Sequence, residues 1–222
     1  MKQVTLKRIF ITFSIACLLT MFTITFILAS IILTTGYDPL KRLSSHFATM
    51  GISLILLLFT WFFRKKLNTF LLTFATIYIF LAVFLGSSLN FYNYYEHLNY
   101  DKIIHVYFGY SSALLGLYAF IKFKQYTQSS ALYMIFFIFS FSMMIAAMWE
   151  ISEFSSDQFF HTITQGYPRE VIDGSFVVDV KETMFDMIAN LIGTILFLIG
   201  LTLEKTKKNT LITKQIVRAL LD

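Results

Sequence analysis

Six runs along this 222-residue chain reach the roughly 20 mostly apolar residues that an α-helix needs to cross a bilayer. They fall at about 9–33, 44–63, 68–90, 103–121, 129–152 and 183–203. Hydrocarbon offers the backbone no hydrogen-bond partner, so a crossing segment must satisfy its own N–H and C=O groups. The runs therefore predict an all-α fold, a polytopic membrane bundle of six transmembrane helices in a single domain. Composition agrees. The chain is 57% hydrophobic and 14% charged, where a soluble domain carries about 25% charged residues.

The first run follows Met1-Lys2 and Lys7-Arg8, as a signal peptide would. Its apolar stretch is far longer than a signal core of about 7–15 residues, so it reads as a membrane helix. Ser14-Ile15-Ala16-Cys17 lacks the Leu of a lipoprotein box, and the lone Cys17 excludes an internal disulfide.

Lys and Arg set orientation, because positive loops stay in the cytoplasm. With the N-terminus inside, the inner segments carry Lys2, Lys7, Arg8, Arg64, Lys65, Lys66, Lys122, Lys124, Lys205, Lys207, Lys208, Lys214 and Arg218, 13 of the 18 basic residues. The C-terminus is then also cytoplasmic. No basic stretch resembles a nucleic-acid arm, so membrane lipids are the expected partners and nucleic acid is not. The acids sort independently of this assignment: 11 of 13 lie on the outer side, with all four histidines (His46, His97, His105 and His161). The expected location is a bacterial cytoplasmic membrane.

Two outer segments stand out. Residues 86–101 carry Tyr92, Tyr94, Tyr95 and Tyr100, which read as an interfacial aromatic belt or as a stacking platform for sugars or headgroups. Residues 153–182 form a connection long enough to serve as a lid or binding loop. Residues 204–222 are basic, with apolar residues at helical spacing, and predict an amphipathic helix on the inner leaflet.

Ionisable residues inside such a bundle are costly and mark functional sites. They gather at the outer ends of the last three helices. Asp101 and His105 are spaced i, i+4 at the start of the fourth; Glu150 and Glu153 are spaced i, i+3 at the end of the fifth. Glu182, Asp186 and Asn190 follow at i, i+4, i+8 on the sixth. Such spacings put each set on one helix face, so three packed helices would converge on one polar pocket.

Each set also has a plainer reading. Asp101 and Glu182 sit at helix N-termini, where the dipole stabilises a carboxylate by about 0.3–1 kcal/mol, so capping alone accounts for them. Glu150 and Glu153, at a C-terminus, have no such support and need a cation, a proton or a metal. Asp186 lies deeper, at a cost of at least about 2.5–3.5 kcal/mol on insertion scales, although an inter-helix hydrogen bond with Asn190 is a structural alternative. A single histidine is usually a satisfied interior residue; His105 gains weight from Asp101 and Glu150, either of which would orient its ring. Three chemistries suit the pocket. One is a divalent metal site drawn from His105, Glu150, Glu153 and Asp186. The second is acid–base catalysis with His105 as base. The third is proton or cation binding, as in a small permease.

The motif order resembles the YjdF-like bacterial membrane proteins. The matching residues are Gly86, Phe91, Tyr92, Asp101, His105, Gly109, Trp149, Glu150, Glu153, Asp157 and Gln165, then Glu182-Thr183-Met184, Asp186-Met187, Asn190 and Gly193. Glu182 stands where the family pattern has Asp. A more distant likeness is to VanZ-like proteins, through Asp101-Lys102-Ile103-Ile104-His105 and Asp186 to Gly193. The resemblance implies a bacterial membrane setting and a shared polar site, and it brings no established reaction with it.

These readings lead to a bacterial inner-membrane protein acting on a lipid or lipid-linked envelope molecule. His105, Glu150, Glu153 and Asp186 are the working residues, with Asp101, Glu182 and Asn190 in support. A small permease or ion-binding protein, and a non-catalytic envelope partner, are the alternatives.

Overall fold

The computed structural model describes residues 2–38, 42–63, 68–123, 130–160, 171–172, 175–176 and 180–206. Seven α-helices follow in order: α1 (Lys2–Thr35), α2 (Leu43–Phe63), α3 (Thr69–Ile79), the short α4 (Phe91–Tyr94), α5 (Tyr100–Lys122), α6 (Ala131–Phe160) and α7 (Val180–Thr206). The third run does not stay α-helical. It passes into a π-helical stretch at Phe80–Ser88, and a 3₁₀ turn at Glu96–Leu98 precedes α5. Among the described residues six helices are long and apolar enough to cross a membrane: Lys7–Thr35, Leu43–Phe63, Leu71–Ser88, Tyr100–Lys122, Ala131–Phe159 and Val180–Leu203. The expected all-α bundle stands. Among the described residues its one departure is a small antiparallel hairpin, β1 (Val171–Ile172) against β2 (Ser175–Phe176), inside the connection before α7.

One expectation needs correction. α6 does not stop near residue 152 but runs on to Phe160. Its last two turns contain Ser, Asp and Gln as well as Phe, so polarity marks the end of the apolar run without ending the helix. Glu150 therefore sits about 15 Å before the helix end, and the dipole no longer weighs against it. By its contacts the chain divides into two compact units, Met1–Ile104 and His105–Val217. The boundary falls inside α5, which is one unbroken helix. The predicted amphipathic tail lies outside the described residues beyond 206.

In the first unit α1 packs on α2, α3 and the π-helical stretch. Leu18, Met21 and Phe84 are its buried centre, flanked by Leu56, Leu57, Ile79, Phe80, Leu85 and Leu89. A π-helix shifts the carbonyl register, and the Tyr100 hydroxyl donates to Leu81 O at 2.9 Å beside it. The tyrosine-rich segment folds into a ring cluster in which Tyr100 meets Phe91, Tyr92 and Tyr95 edge-on or tilted. Polar ties fix the start of α2. Asp38 accepts from the backbone N–H groups of Arg42 (2.9 Å) and Leu43 (3.0 Å). The Arg42 guanidinium donates to Ser87 O and to Asn90 Oδ1, and His46 Nδ1 lies 2.6 Å from Ser88 Oγ. Asn90 holds a left-handed φ of 65°, a conformation that Asn tolerates better than most residues.

In the second unit α6 packs on α7, and α5 and α7 meet backbone to backbone. A Cβ added to Gly109 would collide with Asn190 O, and one added to Gly193 would collide with Val106 O. Small residues let membrane helices approach this closely, and without them the facing side chains hold the axes apart. Beneath this contact Ala113, Leu114, Leu117, Phe120, Ile138 and Phe197 are buried.

Two outcomes follow. Gly109→Ala forces α5 away from a backbone carbonyl, which cannot swing aside as a side chain would. It should destabilise the detergent-solubilised protein by about 1–3 kcal/mol or more, measured by thermal unfolding; an unchanged midpoint contradicts the close contact. For Asp38, the hydrogen bond from the Arg42 N–H holds the carboxyl below its ordinary value. Its contribution is present above the unfolded value of about 3.9 and is lost as pH falls through the folded one. Asp38→Ala should lower the midpoint at neutral pH, with the gap to wild type closing in acid. A gap that persists to about pH 2 would count against the cap.

Candidate functional site: a buried histidine between two carboxylates

α5, α6 and α7 bring His105, Glu150, Asp186 and Asn190 together. All four are buried, at 7%, 5%, 4% and 0% exposure respectively. The His105 ring separates the two acids. Its Nε2 lies 3.4 Å from Asp186 Oδ1, and its Nδ1 lies 4.0 Å from Glu150 Oε1. The i, i+4 step on α7 then adds Asn190, whose Nδ2 lies 3.2 Å from His105 Nδ1 and donates to Asp186 O at 2.9 Å.

The second of those bonds orients the amide. Only a donor can approach a backbone carbonyl at that distance, so the nitrogen of Asn190 points at Asp186 O and its other hydrogen points at the ring. His105 Nδ1 must then accept, which leaves the ring proton on Nε2, facing Asp186. Asn190 Oδ1, inside the same cluster, is a buried acceptor with no hydrogen-bond partner. Such atoms are rare in folded proteins and call for an explanation.

One turn deeper, Ser142 of α6 donates to Gly109 O at 3.1 Å and lies 2.8 Å from Thr194 Oγ1. Thr194 also donates to Asn190 O at 2.9 Å. These hydroxyls tie all three helices together directly below the acids.

The remaining predicted residues are distributed as follows. Asp101 occupies the first turn of α5, half-buried, with Lys102 Nζ 2.9 Å from its Oδ2. Ligand atoms of Asp101, His105 and Asp186 all lie within 4.8 Å of one another, a spacing that suits a metal ion. Glu153 is one turn beyond Glu150, and its Oε1 accepts from the Trp149 indole N–H at 2.8 Å. That bond lies along α6 itself, and the Trp149 ring also packs on Phe108 of α5 at 5.6 Å between centroids. Glu182 is half-buried in the first turn of α7, where the helix dipole favours it.

Sequence reasoning missed Ser142 and Thr194. A hydroxyl in an apolar helix usually bonds its own i−4 carbonyl, and nothing in the spacing singles out the two that reach across.

The family described as "Predicted membrane protein (DUF2238)" matches residues 15–207. The chain belongs to that family. It is the same family as the YjdF-like proteins whose motifs the sequence resembles, and the match takes in all four members of the buried cluster. No curated protein and no solved structure matches the chain.

The tautomer is open to measurement in this DUF2238 chain. Metal-free protein carrying ¹⁵N-labelled histidine should show His105 protonated at Nε2 and bare at Nδ1. Asn190→Leu removes the donor to Nδ1 and should abolish that preference, with a loss of about 1–3 kcal/mol in stability for the group left unsatisfied. A proton found on Nδ1 in the metal-free wild type contradicts the assignment.

Proposed function

We propose that this protein is an enzyme of the bacterial cytoplasmic membrane that acts on a lipid or lipid-linked envelope molecule at the outer leaflet. The observation that carries this reading is the His105 ring held between Glu150 and Asp186, all three buried in a unit made of membrane-length helices. Two carboxylates and an imidazole are costly there, and a bundle that needed only packing would do better with apolar residues.

Depth and side support the substrate class. His105 and Asp186 lie within two turns of the start of their helices, near headgroup depth. The Lys and Arg distribution assigns that end to the outer face. A neutral imidazole flanked by acids is the arrangement of a general base: it takes a proton from water or a hydroxyl while a carboxylate stabilises the imidazolium that forms. In this reading Glu150 and Asp186 steady the ring. Asp101, half-exposed, lies one turn earlier on α5, and Glu153 and Glu182 lie one turn nearer the same end of the unit on α6 and α7.

Lipid extracts from cells lacking the protein, compared with complemented cells by mass spectrometry, test the proposal. Deletion should change the abundance of at least one envelope lipid or lipid-linked intermediate, and wild type should restore it. His105→Ala and Glu150→Ala, made at wild-type abundance, should not. With that lipid as substrate, either variant should lower turnover about 10²–10⁴-fold. Unchanged lipids in the deletion, or full rescue by both variants, would sink the enzyme reading.

A further inference from the structure

We infer that the His105 centre holds a divalent cation, with His105 Nε2 and the carboxylates of Asp101 and Asp186 as its protein ligands. Glu150 and Asn190 lie behind the ring as the groups that orient it. This inference rests on the reading of the buried cluster as the working centre and changes one role within it: a ring with Nε2 on the cation and a proton on Nδ1 has no free lone pair, so His105 is then a ligand, and taking the proton falls to a carboxylate of the cluster.

Three observations converge. The first is spacing. Asp101, His105 and Asp186 offer ligand atoms within 4.8 Å of one another. Bonds of about 2.0–2.2 Å to one tetrahedral cation need ligand separations of about 3.3–3.6 Å, which the side chains reach by closing in by about 1 Å. Asp101 and His105 are one turn apart on a single helix, so two of the three ligands are set by helix geometry alone. The second is charge. Asp101, Asp186 and Glu150 bring three carboxylates, Lys102 offsets one of them at Asp101, and the balance of two negative charges matches a dication, whereas a proton neutralises only one acid. One imidazole with carboxylate oxygens suits zinc or manganese.

The third is the buried Asn190 Oδ1, which has no hydrogen-bond partner. A cation on Nε2 displaces the ring proton to Nδ1, and that N–H then needs an acceptor. The Asn190 amide lies 3.2 Å from Nδ1. A rotation of the Asn190 side chain that brings Oδ1 to the ring and turns it away from the Asp186 carbonyl would let the N–H and the unsatisfied oxygen satisfy each other. The bond given up is Asn190 Nδ2 to Asp186 O, a carbonyl within the continuous helix α7. Glu150 Oε1 lies on the same side of the ring, 4.0 Å from Nδ1. Metal-binding histidines commonly direct their second nitrogen at a carboxylate or amide oxygen, which fixes the tautomer and raises ligand basicity. The small exposure of His105 and Asp186 favours a compact ion over a headgroup amine, and the half-exposed Asp101 marks the side from which a substrate would reach the ion.

The test uses full-length protein in detergent, stripped with a chelator, reloaded separately with Zn²⁺ or Mn²⁺, and dialysed. Elemental analysis should then find about one ion per chain. On loading, ¹⁵N spectra should show the His105 proton move from Nε2 to Nδ1. Asp186→Asn and His105→Gln should abolish retention, Asn190→Leu should weaken it about 10–100-fold, and Asp38→Ala, in the first unit, should retain the ion. No ion retained by wild type, or a proton that stays on Nε2 after loading, overturns the inference. Both readouts come from the wild-type chain, so a variant that fails to fold leaves the test intact. Altered cell lipids without metal would remove this inference and spare the enzyme reading; bound metal with unaltered lipids would do the reverse.

Discussion

The contact on which the rest of the second unit depends is the backbone approach of α5 and α7 at Gly109 and Gly193. Each glycine lies where a Cβ would strike a carbonyl of the other helix. Hydrocarbon gives two apolar helices little reason to prefer each other over lipid, so association relies on close packing and on polar groups that reach across. The glycines supply the first and thereby permit the second. With the axes this close, the amide of Asn190 reaches the ring of His105, and the Nε2 edge of the ring comes within 3.4 Å of Asp186. A methyl group at either position would separate these pairs without touching a single polar residue.

Below the glycine contact the hydroxyl ties do a different job. Ser142 links α6 to the Gly109 carbonyl and to Thr194, which fixes α6 against the other two helices about two turns beneath Glu150. The acid on α6 is thereby held at a set depth and rotation relative to the ring. A buried polar network of this kind adds little net stability, because its members exchange one set of partners for another. Its effect is to make one arrangement much better than its neighbours. Chemistry at His105 needs that discrimination more than it needs stability.

The sequence made the helices legible because crossing a bilayer imposes a length and a composition. It also made the cluster legible. His105, Glu150, Asp186 and Asn190 stand out in apolar runs, and helix periodicity assigns each to a face. What it hid was of two kinds. The end of α6 was hidden because polarity marks where a helix leaves hydrocarbon, not where it stops, so Glu153 read as the end of the helix and Asp157 as a loop residue although α6 runs on past both. The π-helical stretch was hidden because Phe80–Ser88 has the same apolar pattern in either helix type. The meaning of Gly109 and Gly193 lay between the two cases: motif resemblance drew attention to both, but only the opposing carbonyls explain why each position takes no side chain.

The two units handle buried polarity differently, and the difference bears on function. In the first, most buried threonines bond the carbonyl four residues back: Thr25 to Met21, Thr49 to Ser45, Thr73 to Thr69 and Thr76 to Leu72. Such bonds satisfy the hydroxyl within its own helix and demand nothing of a neighbour. The ties that do cross elements there, from Arg42 and His46 to Ser87, Ser88 and Asn90, anchor the start of α2 to the end of the π-helical stretch. In the second unit the buried acids and His105 face one another across helices, and no single helix could satisfy them alone. A helix that meets its own needs can pack in many ways. One that carries half of a polar pair must meet its partner at one depth and one rotation. That constraint concentrates both the cost and the chemical capacity of the fold on α5, α6 and α7, around the ring of His105.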